Sequence, residues 1–239
     1  MSPDRVRAVS LSSDRLDVAL WGDESAPVII AHVHGNEQVA LHAAAQVVGR
    51  RPVRLVGLAP QPRRRQRIRV AGRLFDFDPN RMWTLAGRAA TLACLGGDAQ
   101  PTEREQAAAL ADLADYAERA WHLLGAGQRP IVAAHNNADG LLPVDALLGE
   151  PATLASCRIP HLPTDDFLYV CHPPAYERLT ALPFAHAVLR DDTRAPDDGS
   201  LSVRCAHEGV PYINVECHPA RGDRNRDLLL AAVDALLPR

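Results

Sequence analysis

A histidine and a glutamate three positions apart, His34 and Glu37 in HVHGNE, directly follow the apolar run APVIIA. A turn needs neither residue type. A divalent cation uses both, because imidazole nitrogen and carboxylate oxygen are ordinary zinc donors. Gly35 permits the chain to turn between them. Far along the chain a further histidine, His135, follows another apolar run, IVAA. Two imidazoles and one carboxylate leave a fourth position for water, which is the pattern of a catalytic rather than a closed structural zinc. The competing reading is that each histidine only satisfies a nearby backbone group, and for one histidine alone that reading is the simpler.

Other polar clusters stand where apolar strands end. They are Asp78-Pro79-Asn80-Arg81, Asn136-Asn137 after His135, and Glu216 after YINV. Ligand sites in open α/β sheets gather at the carboxyl ends of strands. A glutamate at the end of a core strand is costly unless it is paired or opens onto a site. Beside a metal, such a carboxylate takes a proton from water and later gives it to the leaving group. Arg81 offers a planar fork that fits a carboxylate. Asn80 also suits a plain turn, and Pro79 biases Asp78 toward an extended conformation.

Taken together, HGNE, then DPNR, then HNN, then VECHPARG resemble, in order, the motifs of the aspartoacylase/succinylglutamate desuccinylase family, within the wider zinc carboxypeptidase superfamily. They span His34 to Glu216. The resemblance implies that His34, Glu37 and His135 bind one zinc ion. It implies that Arg73 in GRLFDFDPNR polarises the scissile carbonyl, that Asn80 and Arg81 grip the substrate's carboxylate, and that Glu216 is the general base. The activity it implies is hydrolysis of an amide bond next to a free carboxylate, foremost deacylation of an N-acyl amino acid. Alternatives on the same residues are a metallocarboxypeptidase acting on a peptide or peptidoglycan stem, an esterase or deacetylase, and a metal- or carboxylate-binding protein without turnover. The substrate is expected to be a small molecule or short peptide bearing a carboxylate.

The chain departs from that pattern in places. Ala133 and Ala134 precede His135 where the family often has an acidic residue, which removes a hydrogen-bond partner for a ligand. VECHP lacks a glycine that shapes the family's pocket. The chain stops about where the catalytic domain would, without the family's C-terminal β domain. This predicts a more open site, or one covered by a partner or a second copy. Tyr176 and Tyr212 are candidates, on residue type, to close over a substrate. His32, two residues before His34, is expected to pack in the core or support the site. His172, His207 and His218 have no ligand spacing, although His218 could line the pocket. RRRQR at 63–67 reads as an exposed charged face able to attract an acidic substrate.

These residues need a frame. Val6–Leu11 and Leu16–Trp21 alternate as a hairpin would. Val28–Val33, Val53–Leu58, Pro130–Ala134, Phe167–Cys171 and Val210–Val215 read as strands. Gln38–Val48, Glu103–Leu124, Pro174–Thr180, Leu201–Glu208 and Asp227–Leu237 read as helices. Thr102 is placed to cap the long helix, and Gly209 to end another. Residues 60–69 and 194–200 read as loops. Strands alternating with helices predict an α/β fold, a mixed, mainly parallel sheet with helices on both faces. A single domain over 1–239 is expected.

The chain has 239 residues, 47% of them hydrophobic, and a formal net charge of −3. That length buries enough surface to fold without disulfides. Five cysteines lack any C-x-x-C pair and are read as reduced thiols of a cytoplasmic protein. The charge balance argues against nucleic-acid or membrane-surface binding, and no apolar run is long enough to span a bilayer. A homo-oligomer stays open.

Overall fold

The computed structural model describes residues 2–10, 14–59, 61–96, 100–138 and 141–237. Its strands are β1 (Arg5–Ser10), β2 (Arg15–Trp21), β3 (Val28–His32), β4 (Val53–Gly57), β5 (Gln66–Val70), β6 (Arg73–Phe77), β7 (Ala93–Leu95), β8 (Ile131–Asn136), β9 (Thr153–Cys157), β10 (Phe167–Val170), β11 (His186–Arg190) and β12 (Tyr212–Cys217). The helices are α1 (Gln38–Val48), α2 (Leu85–Thr91), α3 (Glu103–Leu123), α4 (Val144–Leu147), α5 (Pro173–Thr180), α6 (Leu201–Glu208) and α7 (Gly222–Leu236).

Nine strands form one sheet in the order β1-β2-β4-β3-β8-β12-β10-β11-β9. β4, β3, β8 and β12 run parallel at its centre, and β10 and β11 form a further parallel pair. The remaining ladders, towards both edges, are antiparallel. The centre is parallel because β3 is buried along its whole length and β8 nearly so, which requires cover on both faces. On one face Ile29, Ala31, Ile131, Ala133 and Tyr212 pack against α3 and α6. On the other Ile30, Val132, Ala134, Ile213 and Val215 pack against α1, α5 and α7.

A three-stranded antiparallel sheet, β5-β6-β7, covers the α3 face, and its Ile68, Val70, Phe75 and Phe77 join the same core. Most of 60–69, read as loop from its charge, belongs here: Gln66–Val70 alternates buried and exposed, so arginines 67 and 69 face out while Ile68 faces in. The predicted hairpin forms as β1 and β2; Leu11, the predicted end of its first strand, lies outside the described residues. Thr102 and Glu105 make a reciprocal capping box that starts α3. Gly209, at φ +68°, ends α6 in the left-handed region. α7 begins at Gly222, five residues before its predicted start at Asp227. All five cysteines are unpaired. Among the described residues no helix is long and apolar enough to cross a membrane.

Candidate metal centre

The carboxyl ends of β3, β8 and β12 meet at one edge of the sheet. His34 and Glu37 lie in the turn between β3 and α1, His135 on the penultimate residue of β8, and Glu216 on β12 directly across from His135 in the ladder. Residues far apart in the chain meet here because parallel strands bring like ends together.

His34 Nδ1 lies 2.9 Å from Glu37 Oε1, and His135 Nδ1 lies 3.0 Å from Glu37 Oε2. All three residues are at most 4% exposed. Their donor atoms fall within 4.8 Å of one another. Two nitrogen or oxygen ligands of one tetrahedral zinc stand about 3.3 Å apart, from bond lengths of roughly 2.0–2.1 Å. The donor set therefore fits such an ion.

The remaining contacts of His34 sharpen this. Its Nε2 lies 2.8 Å from Asp78 Oδ1. Without a cation, both ring nitrogens would have to carry protons to face two carboxylates. With one at Nδ1, the Nε2–H alone suffices, and Asp78 fixes that tautomer and ring orientation. Asp78 thus gives His34 an acidic partner, whereas Ala133 and Ala134 supply none to His135. His135 Nε2 is buried without a hydrogen-bond partner among the described residues.

The surrounding residues hold the ligands in place. His32 Nε2 contacts the Glu37 carbonyl at 3.0 Å, which gives it the supporting role expected from sequence. Asn136 N–H donates to Glu37 Oε2, while its Oδ1 accepts from Ala40 N–H in the first turn of α1. Asn225 Nδ2 donates to the His135 carbonyl. Asn137 pins the following loop through Leu142 and the Asp165 carbonyl. Gly35 is needed for a different reason from the one expected. A Cβ there would come within 1.7 Å of the Gln61 carbonyl oxygen and 2.4 Å of that of Ala59, so glycine admits a neighbouring backbone rather than a special turn.

Electrostatics follow from this crowding. Burial raises the Glu37 pKa, but the charge and hydrogen bonds of His135 and His34 outweigh it and hold Glu37 well below the usual carboxylate range. Burial likewise opposes the ionised form of Asp78, yet His34, the Asn80 N–H and Arg64 bring it down to about 2. His135 is raised despite burial, by Glu37 and Glu216. Glu216 is raised, by burial first and by the nearby Glu37 charge. It accepts a hydrogen bond from Asn214 Nδ2 at 2.9 Å.

The arginines are placed differently from the expectation. Arg73 sits at the tight end of the β5–β6 hairpin and pairs with Glu105 at 2.9 Å. It is five residues of extended strand from Asp78, roughly 16 Å at about 3.3 Å per residue. The fold does not bring it to the centre. Arg64 arrives instead, with guanidinium nitrogens 3.4 Å from Glu37 Oε1 and 3.4 Å from Asp78 Oδ2. It comes from the RRRQR run, in which its neighbour Arg65 turns away to Asp76 and the Thr91 carbonyl. Asn80 is held by Asp78 and accepts from Leu201 N–H at the start of α6. Arg81 pairs with Asp198. Tyr212 is 2% exposed in the core, four residues below Glu216, and Tyr176 packs against the core on α5, so neither closes over the centre. His218 sits in the turn after β12 and accepts from Ala220 N–H.

No family model matches the sequence, and no curated protein does. Similar solved structures include a provisionally named metallopeptidase from Shewanella amazonensis, at 12% identity and a TM-score of 0.43, covering 98% of this chain and 88% of that one. A succinylglutamate desuccinylase/aspartoacylase from Rhodobacter sphaeroides is 13% identical, with a TM-score of 0.43, covering 99% of this chain and 66% of its own. A murein-tripeptide amidase from Escherichia coli O157 is 14% identical, with a TM-score of 0.43, covering 100% and 94% respectively.

Proposed function

We propose that this protein is a zinc-dependent hydrolase, with one ion per chain, that cleaves an amide bond next to a free carboxylate. The observation that carries the reading is Glu37 presenting one oxygen to an imidazole nitrogen of His34 and the other to His135, with buried Glu216 on the neighbouring strand. Zinc held by His34, Glu37 and His135 would polarise a carbonyl and lower the pKa of water from ~15.7 to about 7.

The protein's own groups do the rest. Glu216 takes a proton from the attacking water and gives it to the departing amine; its raised pKa suits both steps. Arg64 stabilises the oxygen that becomes negative, the role the motif resemblance gave to Arg73. Arg81, with Asn80 beside it, takes the substrate carboxylate. Asp198 occupies Arg81 meanwhile, so substrate exchanges one carboxylate for another on the same fork.

Deacylation of an N-acyl amino acid is the favoured substrate class, because HGNE and DPNR stand together in this chain. Removal of a C-terminal residue uses the same groups. A hydrolysis screen of N-acetyl, N-succinyl and N-formyl amino acids beside dipeptides, with added zinc, separates them. Elemental analysis should find about one zinc per chain, and His135→Ala should lose it. A metal-free, folded and fully active protein refutes the proposal.

A further inference from the structure

At the opposite end of the sheet lies a polar concavity of about 270 Å³, lined by Arg7 on β1, Arg54 on β4, Arg119 and His122 on α3, Arg129 before β8, and Glu24 before β3. Four guanidiniums face it against one carboxylate. Arg54 is the telling member. It is only 5% exposed, yet among the described residues its one ion pair is with Glu24, at 3.3 Å. Glu24 is itself 77% exposed at the side chain. A guanidinium carries five N–H donors, and a buried one is stabilised only where acceptors meet them. Among the described residues no Arg54 nitrogen is sealed in without a partner, and Arg54 lines the concavity.

The other arginines do not relieve the charge. Arg129 uses its donors on the Glu24 and Ala26 carbonyls, which fix it without neutralising it. Burial and the like charge of Arg54 press its pKa down. Arg119 pairs with Asp115 one turn back and keeps half its side chain in solvent. Guanidiniums from β1, β4, α3 and the segment before β8 thus converge on a space large enough for a small head group. Planar forks of this kind match phosphate and carboxylate oxygens.

We propose that this concavity binds a small, multiply charged oxyanion, the phosphoryl or polycarboxylate head of a metabolite, at a site separate from the metal centre. β8 begins at Ile131, two residues past Arg129, and reaches His135 after four residues of strand, so roughly 13 Å of strand lies between the two ends. The assignment does not depend on the proposed hydrolysis.

The test is calorimetric titration of the zinc-supplemented full chain with inorganic pyrophosphate and, separately, citrate, at constant ionic strength. The expected result is saturable binding of one anion per chain. It should persist in His135→Ala, which removes any anion held at the metal. It should weaken about tenfold or more in Arg119→Ala, an exposed change that leaves the fold intact, and in Arg54→Gln, the loss of one charge-assisted fork being worth at least 1.4 kcal/mol. Circular dichroism checks that Arg54→Gln is folded. Preference for pyrophosphate assigns a phosphoryl head and preference for citrate a polycarboxylate; either upholds the site. Absence of saturable binding of both up to about 10 mM overturns it, being weaker than any millimolar site. So does binding that disappears in His135→Ala, or that Arg119→Ala leaves unchanged.

Discussion

Replacing Asp78 by asparagine separates its charge from its shape. Asparagine keeps an oxygen that accepts from His34 Nε2–H, but it loses the negative charge that now faces His34, the Asn80 N–H and Arg64. A carboxyl held at about 2 rather than the ordinary 3.8 stabilises the folded chain by about 2.5 kcal/mol at neutral pH, at 1.36 kcal/mol per pKa unit. The side chain is 11% exposed, so solvent screens little of this. Asp78→Asn should therefore lower the melting temperature by roughly 5–10 °C for a chain of this size. The folded pKa is depressed, so the stabilisation is complete above the unfolded value and lost as pH falls through the folded one. The difference between wild type and variant should shrink from about pH 5 towards pH 2. Zinc affinity, measured by competition with a chromophoric chelator, should fall about 10- to 100-fold, the usual effect of removing a ligand's hydrogen-bond partner. A variant that melts with the wild type at pH 7 and holds zinc as tightly would refute the claim that Asp78 orients His34.

Four further outcomes are expected. Glu216→Gln should keep its metal and lose about 10²–10⁴-fold in kcat/KM, and unchanged turnover would remove Glu216 from its role. Because burial raises the Glu216 pKa and the base must be ionised, the acid limb of the kcat/KM profile should lie above about 4.3, the ordinary glutamate value; a limb at or below it would contradict the assignment. Arg64→Ala should lower kcat about 10²–10³-fold with metal content intact, while Arg73→Ala stays near wild type; the reverse order in steady-state kinetics would return the role to Arg73. Gly35→Ala should destabilise by about 1–3 kcal/mol or more in urea and weaken zinc binding, since its methyl meets two carbonyl oxygens that must move.

What the sequence made legible was the set of residues standing after apolar runs. His34, Glu37, His135 and Glu216 each follow a strand that must be buried, and a parallel sheet has one edge where such ends meet. The position of Asp78 was visible, but not its partner, because nothing in spacing says that β6 delivers it to His34. Arg64 was hidden by composition. Three arginines in a row read as one solvated face, and only the loop's path past Gly35 distinguishes the one that turns inward. Arg73 was misplaced because motif spacing counts residues, whereas an extended hairpin converts five of them into a long separation. Tyr212 falls on the face of β12 that carries Glu216, but too deep in the core to reach a substrate.

His135 and Glu216 are rungs of the same ladder, and Phe167 flanks Glu216 from the other side. The spacing between a metal ligand and the proposed base is thereby written into peptide hydrogen bonds, not into the fit of surrounding side chains. Aliphatic residues beneath them can drift during evolution without detuning the pair, whereas slippage of either strand by a single position would turn its group to the opposite face, away from the other. Sequence divergence in the interior is thus compatible with an unchanged reaction centre.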